Sequence, residues 1–158
     1  MHYLKKLLSL SLFIFSLSGQ ALNWSPEVSI QLKRISDLNF STDGNHIAMV
    51  VREALIEGEK SEYLTQIWVS NNDGEDLTQF TYNNKSSSHP RFSPDGQYLA
   101  FVSKRSDKPQ IWMMRSNGGE AWQFTHEKEG VGSFKWSSKG DAIAFLMKDP
   151  KTEEEEKN

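Results

Sequence analysis

A segment that returns three times constrains this chain more than any other feature. Phe40-Ser41-Thr42-Asp43-Gly44-Asn45-His46-Ile47-Ala48-Met49-Val50 recurs as Phe92-Ser93-Pro94-Asp95-Gly96-Gln97-Tyr98-Leu99-Ala100-Phe101-Val102. It recurs again as Trp136-Ser137-Ser138-Lys139-Gly140-Asp141-Ala142-Ile143-Ala144-Phe145-Leu146. A second segment alternates with it. Ile67-Trp68-Val69-Ser70-Asn71-Asn72-Asp73-Gly74, ending in Leu77-Thr78-Gln79-Phe80-Thr81, returns as Ile111-Trp112-Met113-Met114-Arg115-Ser116-Asn117-Gly118-Gly119, ending in Trp122-Gln123-Phe124-Thr125. Ile67 and Ile111, Phe80 and Phe124, and Phe92 and Trp136 are each 44 residues apart, whereas Phe40 and Phe92 are 52 apart. One insertion between Val51 and Ile67 accounts for the whole offset. Its polar stretch, Glu53 to Glu62, reads as a long hairpin between a second and a third strand.

Each unit reads as four short strands. An aromatic residue closes the first, and Asp95-Gly96 turns the chain into the second, Tyr98 to Val102. The polar Lys104 to Lys108 leads to the third, Ile111-Trp112-Met113, and Asn117-Gly118-Gly119 turns into the fourth, Ala121 to Thr125. Glycine takes positive φ freely and Asx side chains bond the backbone two residues on, so these turn residues need no catalytic explanation. A period of about 40 to 50 residues with four strands per unit marks a propeller blade. The expected fold class is therefore all-β: a partial β-propeller of four-stranded antiparallel blades, two complete and a third incomplete, preceded by a signal-peptide helix. An open sandwich would not require the same aromatic and Asp-Gly positions to return in every unit.

Residues 1–21 read as a signal peptide. Lys5 and Lys6 form a positive start, Leu7 to Ser18 is an apolar run of twelve, and Gly19-Gln20-Ala21 offers small residues for cleavage. Twelve residues span about 18 Å as a helix, short of the roughly 30 Å hydrocarbon core, so no membrane anchor is expected after cleavage. The chain has no cysteine, which rules out a disulfide framework and a lipid-modified cysteine. An exported protein of this kind suits a bacterial periplasm or the medium. Residues 22–36 are a linker or a short helix, with Ser25 as N-cap, Pro26 and Glu27 in the first turn, and Val28, Leu32 and Ile35 on one face. Blade 1 is expected over 37–81, blade 2 over 87–125, and the first half of blade 3 over 131–148. Residues 149–158 form an acidic loop or tail, in which Glu153-Glu154-Glu155-Glu156 stands where the repeat would place a third strand. The reading is that the chain stops inside a loop.

A search for chemistry assigns no catalytic residue, no metal ligand set and no cofactor site, and leaves substrate-binding residues unassigned. Gly130-Val131-Gly132-Ser133 lacks the spacing of a Gly-x-Ser-x-Gly nucleophile elbow. His46, His89 and His126 fall at unrelated places in the repeat, and Asn71-Asn72-Asp73-Gly74 has Val69 and Phe80 where a calcium loop needs carboxylates. The glutamate run reads as a solvated loop. Trp68 and Trp112 share one repeat position, as core packing demands. The net charge of −3 is not clustered, which argues against nucleic acid as a partner.

Ser25-Pro26-Glu27, Arg34-Ile35-Ser36-Asp37 and Phe92-Ser93-Pro94-Asp95-Gly96 resemble the start of secreted prolyl oligopeptidase-family serine peptidases, above all the acylaminoacyl-peptidase and dipeptidyl-peptidase-like members. Val131-Gly132-Ser133-Phe134-Lys135-Trp136-Ser137, then Asp149-Pro150 and the glutamates, are similar to their third blade and its acidic insertion. Ser-Pro-Asp-Gly repeats also resemble TolB-like propellers, although Ser41-Thr42-Asp43-Gly44 and Ser137-Ser138-Lys139-Gly140 depart from that tetrapeptide. The first resemblance implies a propeller that admits short peptide substrates to a C-terminal α/β-hydrolase domain absent from this chain. No residue here matches that domain's triad, so the chain alone is expected to be inactive. The alternative is a TolB-like periplasmic propeller acting as a non-enzymatic protein-binding module.

Overall fold

A computed structural model describes residues 30–57 and 60–149. The signal-peptide helix, the proposed cap at Ser25 to Glu27, Val28 and the glutamate run lie outside the described residues. Ten strands are described, grouped in three antiparallel sheets. The first holds β1 (Arg34–Phe40), β2 (His46–Glu57), β3 (Lys60–Asn71) and β4 (Thr78–Gln79) in sequential order. The second repeats that order with β5 (Ser87–Phe92), β6 (Tyr98–Ser103), β7 (Gln110–Arg115) and β8 (Trp122–Gln123). The third is a pair, β9 (Phe134–Trp136) and β10 (Ile143–Phe145).

The second sheet explains why these stretches are apolar without alternation. Leu99, Ala100, Phe101 and Val102 are consecutive and all buried. Leu99 and Phe101 join Met114 and Phe92 in a core shared with Ala48, Ile67 and Val69 of the first sheet. Ala100 and Val102 join Ile111 in a second core with Phe134 of the third and with Val131, just before it. A strand covered on both faces loses the inside-outside alternation, because each face has its own neighbour to bury against. The sheets thus stack in succession as blades. The first strands β1 and β5 are in close contact, whereas the fourth strands β4 and β8 are not among the closely contacting pairs, so the two sheets converge at their first strands.

The eight extra residues lengthen one hairpin. β2 and β3 pair without interruption from His46 opposite Asn71 to Glu57 opposite Lys60. Elsewhere the register follows the repeat: Phe40 pairs Ile47, Phe92 pairs Leu99, and Trp136 pairs Ile143.

Two sequence expectations change at the start of blade 1. The helical face drawn through Leu32 and Ile35 is not formed. Of the described residues before β1, only Ile30 and Gln31 are helical, and Ile35 pairs with Val51 inside β1. The blade also begins at Arg34 rather than at residue 37. The reason is a bulge between Ser36 and Asn39, which breaks the strand's period and hides its first half from pattern reading.

Candidate functional site

The repeated Ser-x-Asp-Gly turn is a closed polar unit. Ser41 Oγ donates to Asp43 Oδ1 at 2.6 Å and accepts the His46 N–H at 2.9 Å. The Gly44 N–H returns to the Ser41 carbonyl at 2.9 Å, with φ +73° at the glycine. Ser93 and Asp95 repeat the arrangement, and Tyr98 N–H binds Ser93 Oγ at 2.9 Å. These donors hold Asp43 down to about 2, chiefly through the Ser41 hydroxyl and then the Asn45 backbone and side-chain N–H groups. Ser93 and the Gln97 N–H lower Asp95 in the same way. The third copy reads Lys139 where the carboxylate is expected, yet the unit is intact, because Ser137 Oγ donates to Asp141 Oδ1 at 2.6 Å. The carboxylate has moved two residues along the turn.

The third and fourth strands are tied by a second polar unit. Thr81 Oγ1 accepts the Ile67 N–H at 2.8 Å and donates to Gln66 Oε1 at 2.6 Å, while Gln66 Nε2 donates to the Asn83 carbonyl at 2.6 Å. Thr125, Ile111, Gln110 and the Glu127 carbonyl repeat it. Trp112 packs against the first core, and its Nε1, like that of Trp68, is buried without a hydrogen-bond partner among the described residues. Arg105 lies 5.4 Å from the Trp112 ring centroid, and burial lowers its pKa.

A further set of polar groups gathers on the first strands. β1 and β5 carry bulges at equivalent places, between Ser36 and Asn39 and between Ser88 and Arg91. Asp37 and His89, 52 positions apart, both take left-handed backbone, with φ 48° and 55°. Few residues other than glycine do so, aspartate and histidine being among those that tolerate it best. Arg91 Nη1 donates to Asp37 Oδ1 at 2.7 Å across the first junction, and Asn39 Oδ1 accepts the Phe92 N–H at 2.9 Å. At the second junction Trp136 Nε1 donates to the Arg91 carbonyl at 3.2 Å. Beside it a cavity of about 380 Å³ is lined by His89, Arg91 and Lys135 and by the apolar Phe134, Phe145 and Leu146.

Of the residues weighed in the sequence, His46 begins β2, His126 follows the fourth strand of blade 2, and only His89 reaches this cavity. Asn71 to Gly74 is a turn, closed by the Gly74 N–H to the Asn71 carbonyl at 3.0 Å. Gly130 takes φ +77°, the Val131 N–H donates to the Pro109 carbonyl of blade 2 at 2.7 Å, and the Gly132 N–H pairs with the Leu146 carbonyl within blade 3, so this segment joins blades rather than shaping an elbow. Among the described residues, no three His, Asp or Glu side chains gather as a metal site would require. No described helix is long and apolar enough to cross a membrane. Sequence reading passed over Asp37, Arg91, Lys135, Gln66, Gln110 and Asp141. Only the glutamines left a signal, since Gln66-Ile67-Trp68 and Gln110-Ile111-Trp112 obey the 44-residue step.

Comparison with known proteins agrees with this architecture. Residues 18–156 match the family described as TolB beta propeller domain. An uncharacterized peptidase, YuxL of Bacillus subtilis, is 34% identical over 71 residues, which is 45% of this chain and 10% of that protein. An acylaminoacyl peptidase structure superposes on 82% of this chain with a TM-score of 0.64 at 23% identity, using 20% of its own chain. A putative TolB from Agrobacterium tumefaciens superposes on 75% with a TM-score of 0.60 at 24% identity, using 40% of its own chain. At these identities the structures share the fold, and the chain spans well under half of each relative. With blade order, register and repeated turns all in agreement, the chain belongs to the TolB β-propeller family.

Proposed function

We propose that this chain is the N-terminal propeller part of an exported serine peptidase of the prolyl oligopeptidase type. In the longer parent protein its blades restrict the entry of peptide substrates to a C-terminal α/β-hydrolase domain. The observation that carries this reading is the 34% identity with the Bacillus subtilis peptidase, supported by the fit of the blades to an acylaminoacyl peptidase. The basic and apolar start of the chain supports export to the periplasm or the medium. The reading frame beyond residue 158 tests the proposal. Further blades followed by Gly-x-Ser-x-Gly support it, and a propeller that closes with no hydrolase domain removes it.

A second reading is a TolB-like periplasmic module that binds proteins without catalysis. The family match and the putative TolB structure, of which this chain covers 40%, favour it. It requires the gene to end with the propeller.

A further inference from the structure

The two junctions between blades are built from equivalent positions but carry different charges. At the first, the bulge residue of blade 1, Asp37, meets the residue two places beyond the bulge position in blade 2, Arg91. Shifting both by their repeat intervals gives His89 and Lys135 at the second junction. Where the first junction has an acid and a base, the second has an imidazole and an ammonium, with Arg91 alongside. Lys135 makes no ion pair with any described residue. Arg91 uses Nη1 for Asp37 and for the Pro90 carbonyl, leaving Nε and Nη2 without partners among the described residues.

We infer that the second junction receives a carboxylate from a ligand in the place that Asp37 fills at the first, and that the ligand is the C-terminal residue of a short peptide with an apolar side chain. The charge argument is direct: Lys135, the unpaired edge of Arg91 and the His89 ring, whose Nδ1 lies 3.1 Å from Ser88 Oγ and whose Nε2 makes no hydrogen bond to a described residue, line one cavity whose equivalent acid has been replaced. Hydrogen bonds to charged partners are the strong ones, and an arginine edge suits a carboxylate. The apolar half of the same cavity, Phe134, Phe145 and Leu146, provides a wall for a side chain next to that carboxylate. Its volume of about 380 Å³ accommodates one residue and its terminus. This site does not depend on the peptidase reading, since it belongs to the blades themselves.

The test titrates the 158-residue chain with acetyl-Ala-Ala-Leu bearing a free carboxylate, with its C-terminal amide, and with octanoate, following tryptophan emission, because Trp136 donates to the Arg91 carbonyl. The free acid is expected to bind at least about tenfold more tightly than the amide, and more tightly than octanoate, which has the charge and apolar tail but no peptide. His89→Asp restores the first junction's acid in a backbone conformation that Asp37 already adopts, and is expected to weaken acid binding about tenfold with the circular dichroism unchanged. Lys135→Gln, on an exposed strand position, is expected to act in the same direction if the His89 variant folds poorly. Equal binding of acid and amide, tighter binding of octanoate, undiminished binding by both variants, or no binding at all overturns the inference. None of these outcomes bears on whether a hydrolase domain follows the blades, which the reading frame decides.

Discussion

Thr81 Oγ1 accepts the backbone N–H of Ile67 at 2.8 Å, and the same contact joins Thr125 to Ile111 at 2.9 Å one repeat later. The fourth strand is only two residues long in each complete blade, Thr78–Gln79 and Trp122–Gln123, so its ladder is short. The threonine extends it, with its hydroxyl standing in for a backbone carbonyl and also satisfying a glutamine from the third strand.

Thr81→Val keeps the shape and removes the hydroxyl, leaving the Ile67 N–H and Gln66 Oε1 buried without that partner. A loss of about 1–3 kcal/mol is expected, the cost of stranding buried polar groups. Urea unfolding checks it, and Thr125→Val is expected to behave alike because its environment is the same.

The turn aspartates predict behaviour in acid. Asp43 sits at about 2 against an ordinary value of 3.8, so the folded state favours its charged form. Its contribution to stability is therefore complete above about pH 4 and is lost as the pH falls towards 2. Ser41→Ala removes the strongest donor and is expected to move the Asp43 carboxyl titration upward. A carboxyl-resolved NMR titration reads the shift directly, and an unchanged midpoint contradicts the assigned cause.

Phe40 and Phe92 occupy one repeat position with opposite surroundings. Phe92 is 7% exposed and packs on Ala48, Ile67 and Val69, whereas Phe40 is 59% exposed. Phe92→Ala is expected to cost about 3–5 kcal/mol, whereas Phe40→Ser is expected to leave the melting temperature nearly unchanged. Because Phe40, Leu38 and Ile35 expose apolar surface on the same strand, Phe40→Ser is also expected to reduce self-association in sedimentation velocity.

Among the described glycines, Gly130 is where a side chain would meet the closest contacts on top of an unfavourable backbone. A Cβ there would lie 2.9 Å from the Pro109 carbonyl oxygen and from its Cδ, with φ +77°. Gly130→Ala is expected to destabilise the chain by roughly 1–3 kcal/mol through strain between blades 2 and 3. Gly96→Ala, with equally positive φ but open space, isolates the backbone part of that cost.

Residues that repeat at a fixed interval were legible because propeller blades impose nearly the same environment each time. Phe92 and Trp136, Asp95-Gly96, and the Ile-Trp pairs announce strands and turns without reference to anything distant in the chain. Local rules of that kind, apolar strand and glycine turn, set the fold class and the strand order. They also explain why reading failed at Arg34 to Ser36, where a bulge shifts the period, and at Lys139, where Asp141 supplies the carboxylate from two residues further on.

The junction chemistry was decided at a different level. Asp37 and Arg91 are 54 residues apart, and nothing local to either marks them as partners. Their ion pair, and the cavity beside His89 and Lys135, exist only because bulged first strands from successive sheets are brought side by side. The sequence by itself determined the repeating unit, since strand and turn preferences act over a few residues. Which charged groups meet depended on how the units stack, because that pairing is non-local and leaves no periodic trace.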